Sequence, residues 1–350
     1  MLRVASIGCG DIAQRKHFPQ LQALGTAELV AIAGRDAGRL AECASRFGVA
    51  ATYTDPAAML ADPAIDAVLI LTPPDTHAEF AAMAVRAGKH VLVEKPLVPT
   101  VAQAEALAAV VRAHPPVTFF ALPHVETAEQ RLVAGLLRGG AVGEVTLVES
   151  HRGHRGPTHA DWFYRRALAG GGVLLDLGIY QLTGIAAVFG PAISMTAACT
   201  TRLATRTMDD GRVIRPDVED AALLTLHLAD GTDVAMTATW NGSLSHHHTR
   251  MRSSVFGQAG TLHFGVADGC VYLHRPDGDY AGLGGEAAVF DGLPSLRLRP
   301  AEVGGTIVGD FVARIAAGDT GTRSLDIQLH VLDIIAAAYA GPYARLPPRF

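Results

Sequence analysis

Three short stretches hold residues whose types and spacing could do chemistry. The first is "AGKHVLVEKPLVPT" (87–100), in which a strand-like run, Val91 to Val93, ends in Glu94, Lys95 and Pro96. In an open α/β sheet, ligands bind outside the carboxyl ends of the strands, which would aim Lys95 into a cleft. An ammonium there can hydrogen-bond a substrate hydroxyl and depress the pKa of a neighbouring acid. It can equally be a structural lysine in an ion pair, and the stretch alone leaves both readings open. The second, "GGGVLLDLGIYQLT" (170–183), spaces Asp176 and Tyr180 four residues apart, so on a helix they share a face.

The third stretch, "SIGCGDIA" (6–13), is a G-x-G-x-x-A pattern formed by Gly8, Gly10 and Ala13. It follows an apolar strand and opens a helix, the context such a motif needs. Gly8 permits a tight turn, Gly10 offers no side chain to block a pyrophosphate, and Ala13 lets helix and strand pack closely. The helix that starts at Asp11 and Ile12 then turns its N-terminus toward the anion. This predicts a dinucleotide site. An acid at the end of the second strand would hold the ribose of NAD, but "VAIAGRD" has Gly34 there, followed by Arg35. A guanidinium suits a 2′-phosphate, with Arg39 in support, so the reading favours NADP, with NAD as the alternative. Asp36 lies slightly too late to take the acid's place.

These residues need elements to position them. Strand-like runs at 3–8, 28–34, 66–72, 90–94 and 117–122 alternate with helical patterns at 11–24, 36–47, 76–87 and 100–113. The runs are continuously apolar, which marks strands buried on both faces in a parallel sheet flanked by helices. The pattern then changes. A helix near 126–139, a strand near 144–150, a polar segment at 151–170 and a helix to about 188 precede strand after strand from 192 to 275. Helices return near 305–317 and 325–340. The expected architecture is an α/β Rossmann-type doubly wound domain over 1–122. An α+β domain with a large, mostly antiparallel open sheet follows over 123–350.

Composition excludes little else. The 350 residues carry a net charge of −5, which speaks against nucleic-acid binding. No uninterrupted apolar run reaches roughly 18 residues, so no membrane span is expected. Four unpaired-looking cysteines, Cys9, Cys43, Cys199 and Cys270, fit a reducing cytoplasm without a zinc or redox motif. Arginines at 152, 155, 165 and 166 are either solvated loop charge or contacts to an anionic substrate.

Taken together, "AGKHVLVEKP", "GCGDIA", "TPPDTH" and "GGGVLLDLGIY" resemble the glucose–fructose oxidoreductase / inositol dehydrogenase / rhizopine-catabolism (Gfo/Idh/MocA) family, in order and over essentially the whole chain. The resemblance implies a Rossmann domain, a second domain whose open sheet often serves oligomerisation, and a substrate-side role for Lys95. Where inositol-dehydrogenase-like members resemble D-x-G-x-H, this chain has D-L-G-I-Y, with Tyr180 in the histidine slot. That is closer to the glucose–fructose oxidoreductase and dihydrodiol dehydrogenase branch, in which a tyrosine is the proposed acid/base. A free phenol titrates near about 10, so it needs a nearby cation, which Lys95 would supply. Asp176 would orient a substrate hydroxyl or Lys95.

The resemblance also sets Thr72, Pro73 and His77 of "TPPDTH", together with Glu94 and Lys95, beside the cofactor. His77 suits a helix cap as well. The family's Asn-Arg after the sixth strand is Pro123-His124 here, which puts substrate contacts there in doubt. Trp162 of "THADWFYRR" could stack on a sugar face. Three consecutive histidines, His246 to His248, alternate faces on a strand and cannot share one ion, so no metal is expected. The reading is an NADP-dependent dehydrogenase or reductase for a sugar, cyclitol or related polyol, working as a homodimer or homotetramer. Its rivals are a nucleotide-sugar ketoreductase, an NAD-dependent glycosidase and a non-catalytic dinucleotide-binding sensor.

Overall fold

The computed structural model describes residues 1–115, 117–123, 127–241, 252–266, 268–300 and 306–350. Contacts group Met1–His124 with Gly304–Leu329 as one compact unit and Val125–Val303 with His330–Phe350 as another. The single cut expected near 122 therefore differs at 304–329. This segment returns to the first unit because Val308 and Phe311 of the helix Ile307–Ala316 complete its core beside Phe120.

In the first unit, strands β1 (Leu2–Ile7), β2 (Ala27–Ala33), β3 (Ala51–Tyr53), β4 (Ala67–Ile70), β5 (His90–Val93) and β6 (Phe119–Ala121) form one parallel sheet in the order β3-β2-β1-β4-β5-β6. Strand β4 is buried throughout, as its unbroken apolar sequence requires. The order reverses between β1 and β4, which creates the crevice where ligands of such sheets sit. Helices α1 (Phe18–Gln22), α2 (Ala37–Phe47), α3 (Pro56–Leu60), α4 (His77–Arg86) and α5 (Val101–Arg112) connect the strands. Asp36 caps α2 by accepting from the Arg39 amide at 3.1 Å, Asp55 caps α3 and Thr100 caps α5. The short β3 and α3 were not foreseen, because three- and five-residue elements carry too little periodicity to read. The helix expected over 11–24 starts at residue 11 as expected and contains a π-helical segment, Ala13–His17.

The second unit is built on a ten-stranded sheet. Its strands are β7 (Val145–Gly153), β8 (Ala192–Thr200), β11 (Ala221–Leu228), β12 (Asp233–Thr239), β13 (Arg252–Gly257), β14 (Gly260–Phe264), β15 (Val271–His274), β16 (Glu286–Phe290), β17 (Leu293–Leu298) and β18 (Tyr343–Arg345). A separate two-stranded ribbon pairs β9 (Arg206–Thr207) with β10 (Val213–Ile214). All pairs in the large sheet are antiparallel except β7 with β12. Strand β11, "AALLTLHL", alternates buried and exposed positions, the period-2 signature of a sheet with one covered face.

Helices α6 (Ala128–Arg138), α7 (Arg166–Ala169) and α8 (Ile179–Phe189) also belong to this unit. A second π-helical segment, Leu174–Gly178, leads into α8. The stretch Arg166–Phe189 is long and apolar enough by composition to cross a membrane, yet 67% of its most apolar window is buried within the fold. A buried core helix passes the same test.

Candidate active site

The "GCG" turn sits at the carboxyl end of β1. Gly8 has φ +101°, and an added Cβ would lie 2.6 Å from the Leu71 carbonyl oxygen, so only glycine fits. Gly10 differs: nothing lies within 4 Å of where its Cβ would be. That open space belongs to a cavity of about 330 Å³ lined by Gly8, Gly10, Arg35, Arg39, Thr72 and Pro73, among others. The turn is braced from behind, since the Ser6 hydroxyl donates to the Gly8 carbonyl at 2.8 Å and the Gln14 amide to the Cys9 carbonyl at 2.8 Å. Ala13 is fully buried beneath it. Asp11 and Ile12 are exposed and do not line the cavity; Asp11 pairs with Arg15 at 3.0 Å.

The question raised by Glu94 and Lys95 has a physical answer in His17. The Glu94 carboxylate is buried, faces His17 Nε2 at 2.9 Å, and accepts from the Lys95 amide at 2.7 Å. Burial pushes this carboxyl up. The hydrogen bond and charge of His17, with Lys16 and Lys95, outweigh that and hold it at about 2. Glu94 therefore fixes the backbone at the strand end instead of lining the cavity, and His17, on the π-helical segment, is a partner that the sequence reading missed.

His77 also supports from beneath. It is buried, with its ring nitrogens 2.8 Å from the carbonyl oxygens of Pro96 and Thr72, so it ties the "TPPDTH" turn to the segment after Lys95. Burial lowers its pKa against the pull of those carbonyls. The expectation that the His77 side chain lies at the cofactor is corrected to a brace for the loop that carries Thr72 and Pro73.

In the second unit the Gly run docks against protein. A Cβ on Gly171 would meet Tyr339 Oη at 2.2 Å, and one on Gly172 would meet the Glu219 carbonyl oxygen at 1.9 Å. The buried Glu219 carboxylate accepts from the amides of Gly172 and Leu174, each at 3.0 Å, and from the Tyr339 hydroxyl at 2.8 Å. Burial first, then Glu219, push the Tyr339 phenol well above its ordinary value. These bonds take up the amides that a helix start leaves open and lock the segment that carries Asp176.

Asp176 and Tyr180 follow on this segment and are both half-buried. Arg152, at the end of β7, lays its guanidinium 4.3 Å from the centre of the Tyr180 ring. Burial lowers the Arg152 pKa, while the charges of Tyr180 and Asp176 work to raise it. Two other arginines of the cluster, themselves exposed, are paired with acids. Arg165 reaches Asp161 at 2.6 Å, and Arg166 lies 3.7 Å from Glu219. Trp162 stacks on Phe163 with ring centres 3.8 Å apart, so one of its faces is already covered. His124 and His246 to His248 lie outside the described residues.

Comparison with known proteins decides the family. Residues 2–121 match the oxidoreductase family with an NAD-binding Rossmann fold, and 131–263 match the GFO/IDH/MocA C-terminal domain. The chain is 32% identical over 240 residues to a dTDP-3,4-didehydro-2,6-dideoxy-alpha-D-glucose 3-reductase of Streptomyces violaceoruber, covering 68% of this chain and 69% of that protein. The chain belongs to the Gfo/Idh/MocA oxidoreductase family. This oxidoreductase is also 32% identical over 200 residues to a D-glucoside 3-dehydrogenase of Escherichia coli (strain K12), covering 56% of this chain and 57% of that protein. Its fold superposes with TM-score 0.83 on a levoglucosan dehydrogenase in complex with NADH and L-sorbose, with 20% identity over 99% of each chain.

As a member of the family the chain is an NAD(P)-dependent oxidoreductase. Its first unit brings together Gly8, Gly10, Arg35, Thr72 and Pro73 around one cavity. Its second unit brings together Asp176, Tyr180 and Arg152. The sequence carried Arg152 only as one member of an ambiguous arginine cluster. No spacing rule links a strand end to a helix 28 residues later, so the pairing was not readable.

Proposed function

We propose that this oxidoreductase interconverts a secondary alcohol and a ketone on the ring of a sugar, with NADP as the preferred cofactor. One observation carries the reading of its proton chemistry: Tyr180 and Asp176 face one side of a helix start, with a guanidinium over the phenol ring. The cavity fits a dinucleotide, since Gly10 leaves open space where a side chain would block a pyrophosphate. Arg35 and Arg39 line that cavity and suit a 2′-phosphate. A bound nicotinamide supplies or accepts the hydride.

In the oxidative direction, the carbon gives up a hydride and the hydroxyl gives up its proton to the Tyr180 phenolate, leaving a ketone and a phenol. Lys95 binds the substrate oxygen, and Asp176 orients the hydroxyl. Two relatives, a 3-reductase of a didehydro-dideoxyglucose nucleotide and a D-glucoside 3-dehydrogenase, carry names that place their chemistry at carbon 3. This supports a hexopyranose substrate reacting at that carbon. The nucleotide-sugar ketoreductase reading keeps its place because the first of those relatives reduces such a substrate by name. The four free cysteines fit a reducing cytoplasm, and the half-exposed Ile193 and Leu223 on the sheet face support a homodimer or homotetramer.

Fluorescence titration with NADPH and NADH is expected to favour NADPH. Steady-state assays on methyl glucosides and on 3-keto sugars are expected to show turnover that falls by about 10²- to 10⁴-fold in Lys95→Ala and Tyr180→Phe. Near-normal turnover in both variants would remove the proton-transfer assignment.

A further inference from the structure

Resting on Tyr180 as the proton-transfer group, the geometry points to one more participant. We infer that Arg152 is a positioning residue for Tyr180: its guanidinium, packed on the ring face, fixes the phenol's orientation and favours the phenolate form. The distance from the guanidinium carbon to the ring centre is 4.3 Å, well inside cation–π range. Ionising the phenol spreads negative charge into the ring, so the attraction grows as the proton leaves. An opposite charge this close favours the ionised form of an acid.

The strand holds the arginine in place. Ser150 and Arg152 are two residues apart on β7 and so project to the same side. Ser150 Oγ accepts from Gln181 Nε2 at 3.0 Å, and Gln181 also donates to the Thr237 carbonyl at 3.2 Å. Ser150 Oγ further meets Ser253 Oγ at 3.0 Å. Gln181 is the neighbour of Tyr180, so these bonds set the register of α8 on β7 and with it the height of the ring over Arg152. Among the described residues of this unit, Arg152 from β7 lies over the phenol ring, and Asp176 from the preceding segment acts on the same guanidinium. Asp176 opposes phenolate formation by its own charge and attracts Arg152. The guanidinium on the ring face works against that charge.

The test reads the phenol directly and needs no substrate. The full chain is labelled with ¹³Cζ-tyrosine, and Tyr180→Phe identifies the resonance by its loss. Titration of the wild type, Arg152→Met and Arg152→Lys then gives the phenol midpoint in each. Arg152→Met is expected to raise the midpoint by about one pH unit, a tenfold weaker acid, with Arg152→Lys within about half a unit of wild type. Should Arg152→Met fail to fold, Arg152→Gln carries the same comparison. An unchanged midpoint on removing the charge overturns the inference, as does a shift in Arg152→Lys as large as in the neutral variant. Full turnover in Tyr180→Phe would instead defeat the proton-transfer reading, while this titration still decides whether Arg152 sets the phenol.

Discussion

Gly10 and Gly172 both sit in glycine-rich turns that open a helix, and they are glycine for opposite reasons. Gly10 borders a cavity, with nothing within 4 Å of its missing Cβ. Gly172 is pressed against its own chain, with the Glu219 carbonyl oxygen only 1.9 Å from where a Cβ would go. Both turns run into π-helical segments, Ala13–His17 and Leu174–Gly178, an irregularity that is frequent at functional sites. The lesson is that a glycine-rich turn makes a cradle only where the fold leaves the space unfilled. Where the fold fills it, the same residues make a joint.

The largest expected effect separates the two turns. Gly172→Ala forces a methyl group into backbone and should cost about 3 kcal/mol or more in urea unfolding. Gly10→Ala should leave the unfolding midpoint where it is. Equal losses of stability would erase the distinction between joint and cradle.

Next in size is the brace under the first turn. Glu94 is held at about 2 against an ordinary value of 4.5. Its folded pKa is depressed, so the unfolded chain binds the extra proton in that window. The stabilisation is complete above about 4.5 and is lost as pH falls toward 2. The amount is on the order of 3 kcal/mol. Urea midpoints of the wild type should therefore drop more steeply between pH 5 and 3 than those of Glu94→Gln. Parallel curves would mean that the acid sensitivity lies elsewhere.

The cradle was legible in the sequence because its logic is local. Strand, glycines and helix follow one another within residues 2–22, and the strands around them are buried on both faces and read as apolar runs. The charge at Glu94 stands out for a similar reason, directly after such a run. What stayed hidden depends on distant partners. His17 meets Glu94 across 77 positions, and Glu219 meets Gly172 across 47. No periodicity records a pairing of that kind. His77 shows the converse failure. Its place in "TPPDTH" suggested a cofactor contact, but two carbonyl groups on the protein side take its ring.

A smaller effect sharpens the reading of the cradle itself. If Gly10 is the approach point for a pyrophosphate, a methyl group there should cost about 2 kcal/mol of dinucleotide binding, roughly 30-fold in Kd. Fluorescence titration of Gly10→Ala measures it, and an unchanged Kd would take the pyrophosphate away from this turn.

The smallest expected effect is the most discriminating. Arg35 follows Gly34 just beyond β2, is exposed, and lines the cavity with Arg39. Asp36 accepts from the Arg39 amide as the α2 cap, which engages its carboxylate with the helix start. The NADP preference proposed above rests on the lack of an acid at Gly34 and on this guanidinium. Arg35→Ser should then weaken NADPH about tenfold, close to 1.4 kcal/mol, while NADH binding stays within a factor of two or so. If both cofactors weaken together, Arg35 contacts the part they share and does not choose between them. If the unaltered protein already binds NADH more tightly, the arginine is a surface charge, and the preference proposed for NADP falls with it.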